Sequence, residues 1–395
     1  MDQYHSDLAE MFERQQAFTA GYSPLYSRLF GVIASWLSAE EAEDDPLVIW
    51  LLKTARGRGT LDVTLLLAAG LHRDVLAGED PVAELARYYP TAGGDLSPVA
   101  PGFERTLQET ILARSESLAG FIRRANVQTN ETGRGLCWLL PSILVGWPSV
   151  HLVDLGASAG LNLVADLRSF RLVDGEDEEV FIDIGHGMTV QSVTSCGNAS
   201  GLFERLENRR LPVIESRTGC DAAPFKLVTK DDEIALKSFI WGDQPERMDR
   251  LCEGIDAYRQ AQDSAAPVSV YRCDLPQDLS RFLESCLPAH PSIPVVIYNT
   301  YMTTYLADKG RSFVNEIGHW ASQLKNPVLW LQWEPARDWR RPPVEGWIAW
   351  TADLWQEESY QRWRLGWVHP HGSDALFEGD WGLETGDWRL VSGGR

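Results

Sequence analysis

Asp154, Gly156, Ala157, Ser158, Ala159 and Gly160 are the residues of this sequence best suited by type and spacing to hold a ligand. The apolar run Val150, Leu152, Val153 and Leu155 precedes them and an apolar helical pattern resumes at Leu161, so the spacing predicts strand, tight turn, helix. Small residues let a backbone come close to a ligand, and the N–H groups that open a helix favour an electronegative group. Asp154, at the strand end, suits a cation or a hydroxyl and disfavours a pyrophosphate. Asn162 follows in the same run and joins this candidate group. A close-packed turn with no ligand would use the same small residues.

Two chemistries fit the letters. Acidic-x-Gly-x-x-x-Gly resembles motif I of class I S-adenosylmethionine-dependent methyltransferases, with Ser158 standing where the fuller pattern has a further glycine. Gly156-Ala157-Ser158-Ala159-Gly160 also satisfies G-x-S-x-G, the nucleophile elbow of α/β-hydrolases, and Glu334 and His369 follow Ser158 in the order Ser, acid, His. An elbow normally follows several sheet strands, whereas the first 145 residues are nearly all helical in pattern, which favours the methyltransferase reading. A third class, an adenosyl-ligand-binding protein without catalysis, keeps the same fold.

Elements further along supply partners for the turn. The run from Pro212 to Asp221 reads as strand then turn, and an acidic strand tip is the usual ligand for ribose hydroxyls; Asp221 is the candidate, with Glu215 second. The run ending at Asp274 reads as another acidic-tipped strand, suited to an adenine amino group, although Asp274 also serves as a plain turn residue. A fourth strand ends at Asn299, Thr300 and Tyr301, the substrate-side group of a parallel sheet. Upstream, Gln128, Asn130, Glu131 and Arg134 offer more donors and acceptors than one helix cap needs, and they precede an apolar helix over 136–145 that leads into the central strand.

Strand–helix alternation ending in two adjacent strands, over 347–355 and 363–368, implies an α/β fold: a Rossmann-like methyltransferase sheet, mostly parallel, with an antiparallel C-terminal hairpin. Residues 1–125 form a helical N-terminal lobe that includes one helix over about 103–122, and residues 126–395 the sheet domain, with an insertion at about 171–212. Tyr88-Tyr89-Pro90 reads as a loop between the lobes or a substrate loop. The 36 basic and 56 acidic residues give a formal charge of −20, which disfavours nucleic acid and leaves a small-molecule or, second, a protein acceptor. No apolar run approaches a membrane span, the start of the chain lacks a signal-peptide pattern, and the six cysteines form no C-x-x-C pair, so a cytoplasmic protein with reduced thiols is expected. The H-x-H of His369 and His371 lacks a spaced third ligand for a metal.

The sequence resembles a bacterial family catalogued as a domain of unknown function and regarded as methyltransferase-like. The carrying stretches are Ser23-Pro24-Leu25-Tyr26, Leu71 to Gly78, Tyr88-Tyr89-Pro90, Gln128-Thr129-Asn130-Glu131, Leu155 to Leu163, Gly219-Cys220-Asp221, Trp241 with Asp243-Gln244, and His369-Pro370-His371-Gly372. The resemblance implies S-adenosyl-L-methionine as cofactor, held by Asp154, Gly156, Ala157, Ser158, Gly160, Asn162, Asp221, Asp274, Gln128 and Asn130. The family pattern has a His-Ser pair where this chain has Asn299-Thr300, so Tyr301, Glu131 or His369 serves where a base is needed.

Overall fold

The computed structural model describes residues 3–128, 131–185, 190–197, 199–207, 209–287, 293–337, 340–357 and 359–378. The chain forms two compact units, Met1–Asn130 with Leu227–Asp249, and Glu131–Lys226 with Arg250–Arg395. Patterning placed one division near 125; the segment 227–249 groups instead with the N-terminal helices. Among the described residues no helix is long and apolar enough to cross a membrane.

Numbered along the chain, the first unit contains α1 (Gln3–Thr19), α2 (Pro24–Leu37), α3 (Pro46–Ala55), α4 (Thr60–Ala77), α5 (Ala83–Ala86), α6 (Phe103–Ala113), α7 (Ser115–Arg124) and α10 (Lys230–Lys237). The single helix expected over 103–122 is two, because Arg114 leaves helical geometry (φ −106, ψ 13) and donates from Nε to Asp74 Oδ2 at 2.8 Å. Cap chemistry sets several starts: Asp45 accepts from the N–H groups of Leu47 and Val48 ahead of α3, and Thr229 forms a capping box with Asp232 on α10.

Four stretches of the family pattern meet inside this unit. Asp243 accepts from Ser23 Oγ at 2.8 Å and Leu25 N at 3.0 Å, and the Trp241 ring lies edge-on to Tyr26 at 4.4 Å. His72 is wholly buried, with Nδ1 2.8 Å from Ile240 O and Nε2 2.7 Å from Thr91 Oγ1. Facing carbonyls, Nδ1 must carry the proton, which leaves Nε2 as an acceptor competing for the single proton of the Thr91 hydroxyl with Gly242 O, 3.0 Å from that hydroxyl. Tyr89, expected in a loop, is fully buried 5.3 Å from the His72 ring, and a Cβ on Gly242 would strike it at 2.2 Å.

Burial lowers the His72 pKa from 6.5 to about 4. Between those values the unfolded chain takes the proton and the folded chain does not, so stability is present above pH 6.5 and is lost as pH falls toward 4. The linked loss amounts to about 3 kcal/mol. Denaturant titrations of parent and H72Q between pH 7 and pH 4 will show the parent losing this amount relative to the variant as pH falls; a stability difference that stays constant with pH would assign the acid lability elsewhere.

The second unit is built on one sheet in the order β3-β2-β4-β11-β10-β9-β8-β7-β1-β5-β6. Its strands are β1 (Ser149–Leu155), β2 (Ser169–Val173), β3 (Phe181–Gly185), β4 (Val190–Ser195), β5 (Val213–Asp221), β6 (Val268–Arg272), β7 (Val295–Thr300), β8 (Val328–Glu334), β9 (Ile348–Gln356), β10 (Ser359–Val368) and β11 (Asp374–Phe377). Strands β6, β5, β1, β7 and β8 run parallel, and β9 and β10 continue antiparallel. The architecture is therefore mixed α/β. The segment read as an insertion is part of this sheet, since β4 pairs in parallel with both β2 and β11.

Helices cover both faces of the central parallel strands, and β7 and β8 there read as largely apolar, buried runs, whereas β5 is polar from Glu215 to Thr218. Side chains of β1 alternate: Val150 and Leu152 join a core with α8 (Leu136–Val145), while Val153 and Leu155 join one with α12 (Leu279–Cys286) and α13 (Arg311–Gln323). Helix α8 is apolar all round and buried. Pro141 within it has no N–H to give the carbonyl of Cys137, and Trp350 Nε1 donates there at 3.2 Å instead. Short α9 (Ser200–Leu206) packs on the α8 side, and α11 (Pro245–Gln262) precedes β6.

Candidate functional site

Strand order reverses at β1: its neighbours are β5, which comes next among the parallel strands, and β7, which comes two later. Ligands of open α/β sheets bind outside the carboxyl ends of strands at such a switch point. Asp154 is the penultimate residue of β1, Asp221 ends β5, and Asp274 stands two residues beyond β6. Asn299 and Tyr301 lie at the end of β7, and Glu334 ends β8. Topology thus brings the acidic candidates to one edge of the sheet.

The glycine turn is held tightly. Gly156 (φ +94) and Ser158 (φ +50) take left-handed backbone, and the N–H groups of Gly156 and Ala157 donate to Cys220 O at 2.8 and 2.9 Å. Ser158 N donates to Asp221 Oδ2 at 2.9 Å, and Gly160 N to Ala157 O at 2.7 Å. These four donors, expected to face a ligand, are therefore engaged within the protein. Packing explains the small residues: a Cβ on Gly160 would come 2.8 Å from Val268, one on Gly219 2.6 Å from Ala157, and one on Gly156 3.0 Å from Met302. Leu161–Leu167, expected as an α-helix, is 3₁₀ and broken at Val164 (φ −113, ψ 23), so no long helix opens at this turn.

Asp154 is 3% exposed and accepts from the Tyr298 hydroxyl at 2.7 Å. Burial raises its pKa from 3.8 to about 7, against the lowering effect of that hydrogen bond, and Asp221 pushes the same way as burial. Asp221 itself accepts one N–H at each oxygen, Ser158 at Oδ2 and Ala223 at Oδ1. A carboxylate has about four acceptor sites, so each oxygen keeps capacity for a further donor. Asp274 is exposed, and Asp274 N donates to Asp278 Oδ2.

The carboxyl end of β7 is braced from β8. Asn299 is fully buried; its Nδ2 donates to Glu334 at 2.7 Å and its Oδ1 accepts from Trp330 Nε1 at 2.7 Å, which occupies the amide with internal bonds. Glu334 also accepts from Met302 N, Thr303 N and Thr303 Oγ1. Those bonds direct Glu334 to the backbone after β7 and to no histidine, which removes the acid–histidine link that a Ser158, Glu334, His369 triad requires. Tyr301 follows with φ +55, a strained value for a bulky side chain.

The 3₁₀ turn Thr132–Gly135 brings in groups that pattern reading underweighted. Arg134 is 7% exposed, with Nε donating to Pro370 O at 2.9 Å and Cζ 5.5 Å over the Tyr301 ring. Its two terminal nitrogens hydrogen-bond to no described residue, and its charge is felt by Glu131, Glu334 and Asp154. Burial lowers its pKa, as a guanidinium short of partners would show. Glu131 is buried, and its Oε2 lies 3.4 Å from His371 Nδ1; His369 instead accepts from His371 N at 3.2 Å. The acid therefore meets His371, and His369 supports the turn. Asn162 donates to Glu131 O at 3.3 Å and, through its own carbonyl, accepts from Trp138 Nε1. Gln128 belongs to the first unit, and Asn130 lies outside the described residues.

Arg168 anchors this corner. Wholly buried, it donates to Thr132 O at 2.6 Å and to Glu253 Oε2 at 3.1 and 3.3 Å, while Gln191, which accepts from it at 3.4 Å, donates to Gly372 O. One guanidinium thus ties the turn bearing Glu131 and Arg134 to the turn bearing His371. In sequence Arg168 looks like a surface cation. Its only signal is a position just before an apolar strand.

A family model described as "Uncharacterized protein conserved in bacteria (DUF2332)" matches residues 9–375, and the chain belongs to that family. No curated protein and no solved structure matches it.

Proposed function

We propose that the chain binds S-adenosyl-L-methionine at the carboxyl ends of β1, β5 and β6 in a Rossmann-like methyltransferase arrangement, and methylates a small-molecule acceptor. The observation that carries this reading is the run of carboxylates Asp154, Asp221 and Asp274 across three adjacent parallel strands, faced by a buried guanidinium with open donors. When bound, the cofactor supplies an electrophilic methyl group on a sulfonium. Asp221 would accept the ribose hydroxyls with the capacity its two backbone bonds leave, and Asp274 the adenine amino group. Arg134 would pair with the methionine carboxylate in a bidentate contact. Asp154, below the turn, would stabilise the ammonium by its field. Tyr301 borders the acceptor side, and Glu131 would orient His371 as the base for an acceptor that must lose a proton. Alignment of acceptor and methyl group supplies most of the rest. The described cysteines are free thiols, in keeping with action in the cytoplasm.

Calorimetry with S-adenosyl-L-methionine and S-adenosylhomocysteine, with NAD as control, tests this. Each of G156V, D221A and R134M will weaken adenosyl binding at least tenfold, about 1.4 kcal/mol. Because Asp154 titrates near 7, affinity for the ammonium-bearing ligand will rise from pH 6 to pH 8, with proton release on binding. Unchanged affinity in D221A and R134M, or preferential binding of NAD, would refute the assignment.

A further inference from the structure

A second site lies where the sheet passes from parallel β8 to antiparallel β9 and β10. The register of β8, β9 and β10 aligns Gln332 with Thr351 and Glu334 with Ala349, and sets Arg364 opposite Thr351 and Arg362 opposite Asp353. Arg362 and Arg364, two residues apart, point to one face of the sheet. The chain leaving β8 adds Arg337 and Arg340. Together these four arginines line a solvent-open cavity of about 350 Å³, floored by Gln332, Thr351 and Ala349. A cavity of that size falls at the small end of ligand pockets.

Positive groups gather here in an otherwise acidic chain. Glu334 is the acid among the described lining residues, and its oxygens already accept from Asn299, Met302 and Thr303. Asp353, behind Arg362, accepts from Tyr360 at 2.6 Å and from Gln332 at 3.0 Å, with Arg362 Nε 3.6 Å away. Arg337 makes no hydrogen bond or ion pair with any described residue, and its guanidinium lies against Gly310, where a Cβ would come within 2.9 Å of it. The carboxylates of Glu334, Asp353 and Asp308 act on Arg337 and that of Glu378 on Arg364, while the guanidinium groups converge on one hollow where a single anion would bridge them.

We infer that this cavity is a binding site for a small molecule bearing a phosphate monoester. A tetrahedral dianion accepts from several directions at once, which suits guanidinium forks arriving from two strands and a loop. A polymer is disfavoured because the surrounding chain carries a large excess of negative charge. The inference is independent of the adenosyl reading and is tested without that ligand.

Phosphorus NMR titration of the full chain with glycerol 2-phosphate, at constant ionic strength in chloride, will show a saturable shift. R337M and R364M will each weaken it at least tenfold, and R337K less. Arg337 is exposed and holds no hydrogen bond or ion pair with any described residue, so its loss leaves no described partner behind. R105M, which removes an exposed charge on α6, will change nothing. Malonate, a dicarboxylate of similar charge, will compete at least tenfold more weakly. No saturable shift, equal weakening by R105M, or malonate binding as well as the phosphate ester would overturn the proposal.

Discussion

Asp154→Asn is expected to stabilise the protein relative to the parent by an amount that grows with pH, reaching about 4 kcal/mol in its pH-dependent part by pH 8. Burial raises the Asp154 carboxyl to about 7, from 3.8 when exposed. A group whose pKa is raised on folding contributes fully below its unfolded value and loses that contribution as pH climbs through its folded value. Between pH 4 and pH 7 the unfolded chain therefore releases this proton more readily, and the folded state weakens. Asparagine has no proton to lose and still accepts from the Tyr298 hydroxyl. The decline due to His72 runs the other way and cancels in the comparison, because both proteins carry it. Guanidinium midpoints at pH 5 and pH 8 decide the matter; parallel behaviour of the two proteins would mean that the Asp154 carboxyl is not held in a low-dielectric setting. A buried carboxyl that costs stability at neutral pH is the kind of group retained for ligand chemistry.

Glu253→Ala is expected to cost about 3–5 kcal/mol, because it leaves the Arg168 guanidinium fully buried with only neutral acceptors. Thr132 O and Gln191 would still hold that side chain, but neither offsets its charge. The double variant R168M/E253A should recover most of the loss, since an apolar chain of similar length carries no charge to desolvate. Chemical denaturation of the two singles and the double separates these terms. A loss below about 1 kcal/mol in E253A would show that solvent reaches Arg168. The adenosyl reading adds a second consequence: through Thr132, E253A should loosen the turn that carries Arg134, and so lower affinity for a carboxylate-bearing ligand.

The strands ending at Asp154 and Asn299 are legible as apolar runs closed by a polar residue, and β5, polar from Glu215 to Thr218, is legible from its turn residues Gly219 and Asp221. What patterning could not supply was any pairing distant in sequence. The break at Arg114 has no glycine or proline to announce it, since its cause is Asp74, forty residues earlier. Asp243 bonds Ser23 across 220 residues, a pairing no local pattern announces, and 227–249 groups with the N-terminal helices. Asn299 reads as part of a substrate-side group at a strand tip, while the fold sets Glu334 and Trp330 on either side of its amide. Arg134 and His371 were visible as letters, yet burial with open donors, and an acid 3.4 Å away, are properties of the folded chain.

The join between β11 and β4 rests on two aligned positions, Asp374 with Thr194 and Ala375 with Ser195, whereas β1 is matched to β5 at seven. Eleven strands in one sheet thus behave as two rafts moored by a short rope. Thermal fraying that starts at the mooring would set β2, β3 and β4 adrift first and leave β1, β5, β6 and β7, with their carboxylates, in formation.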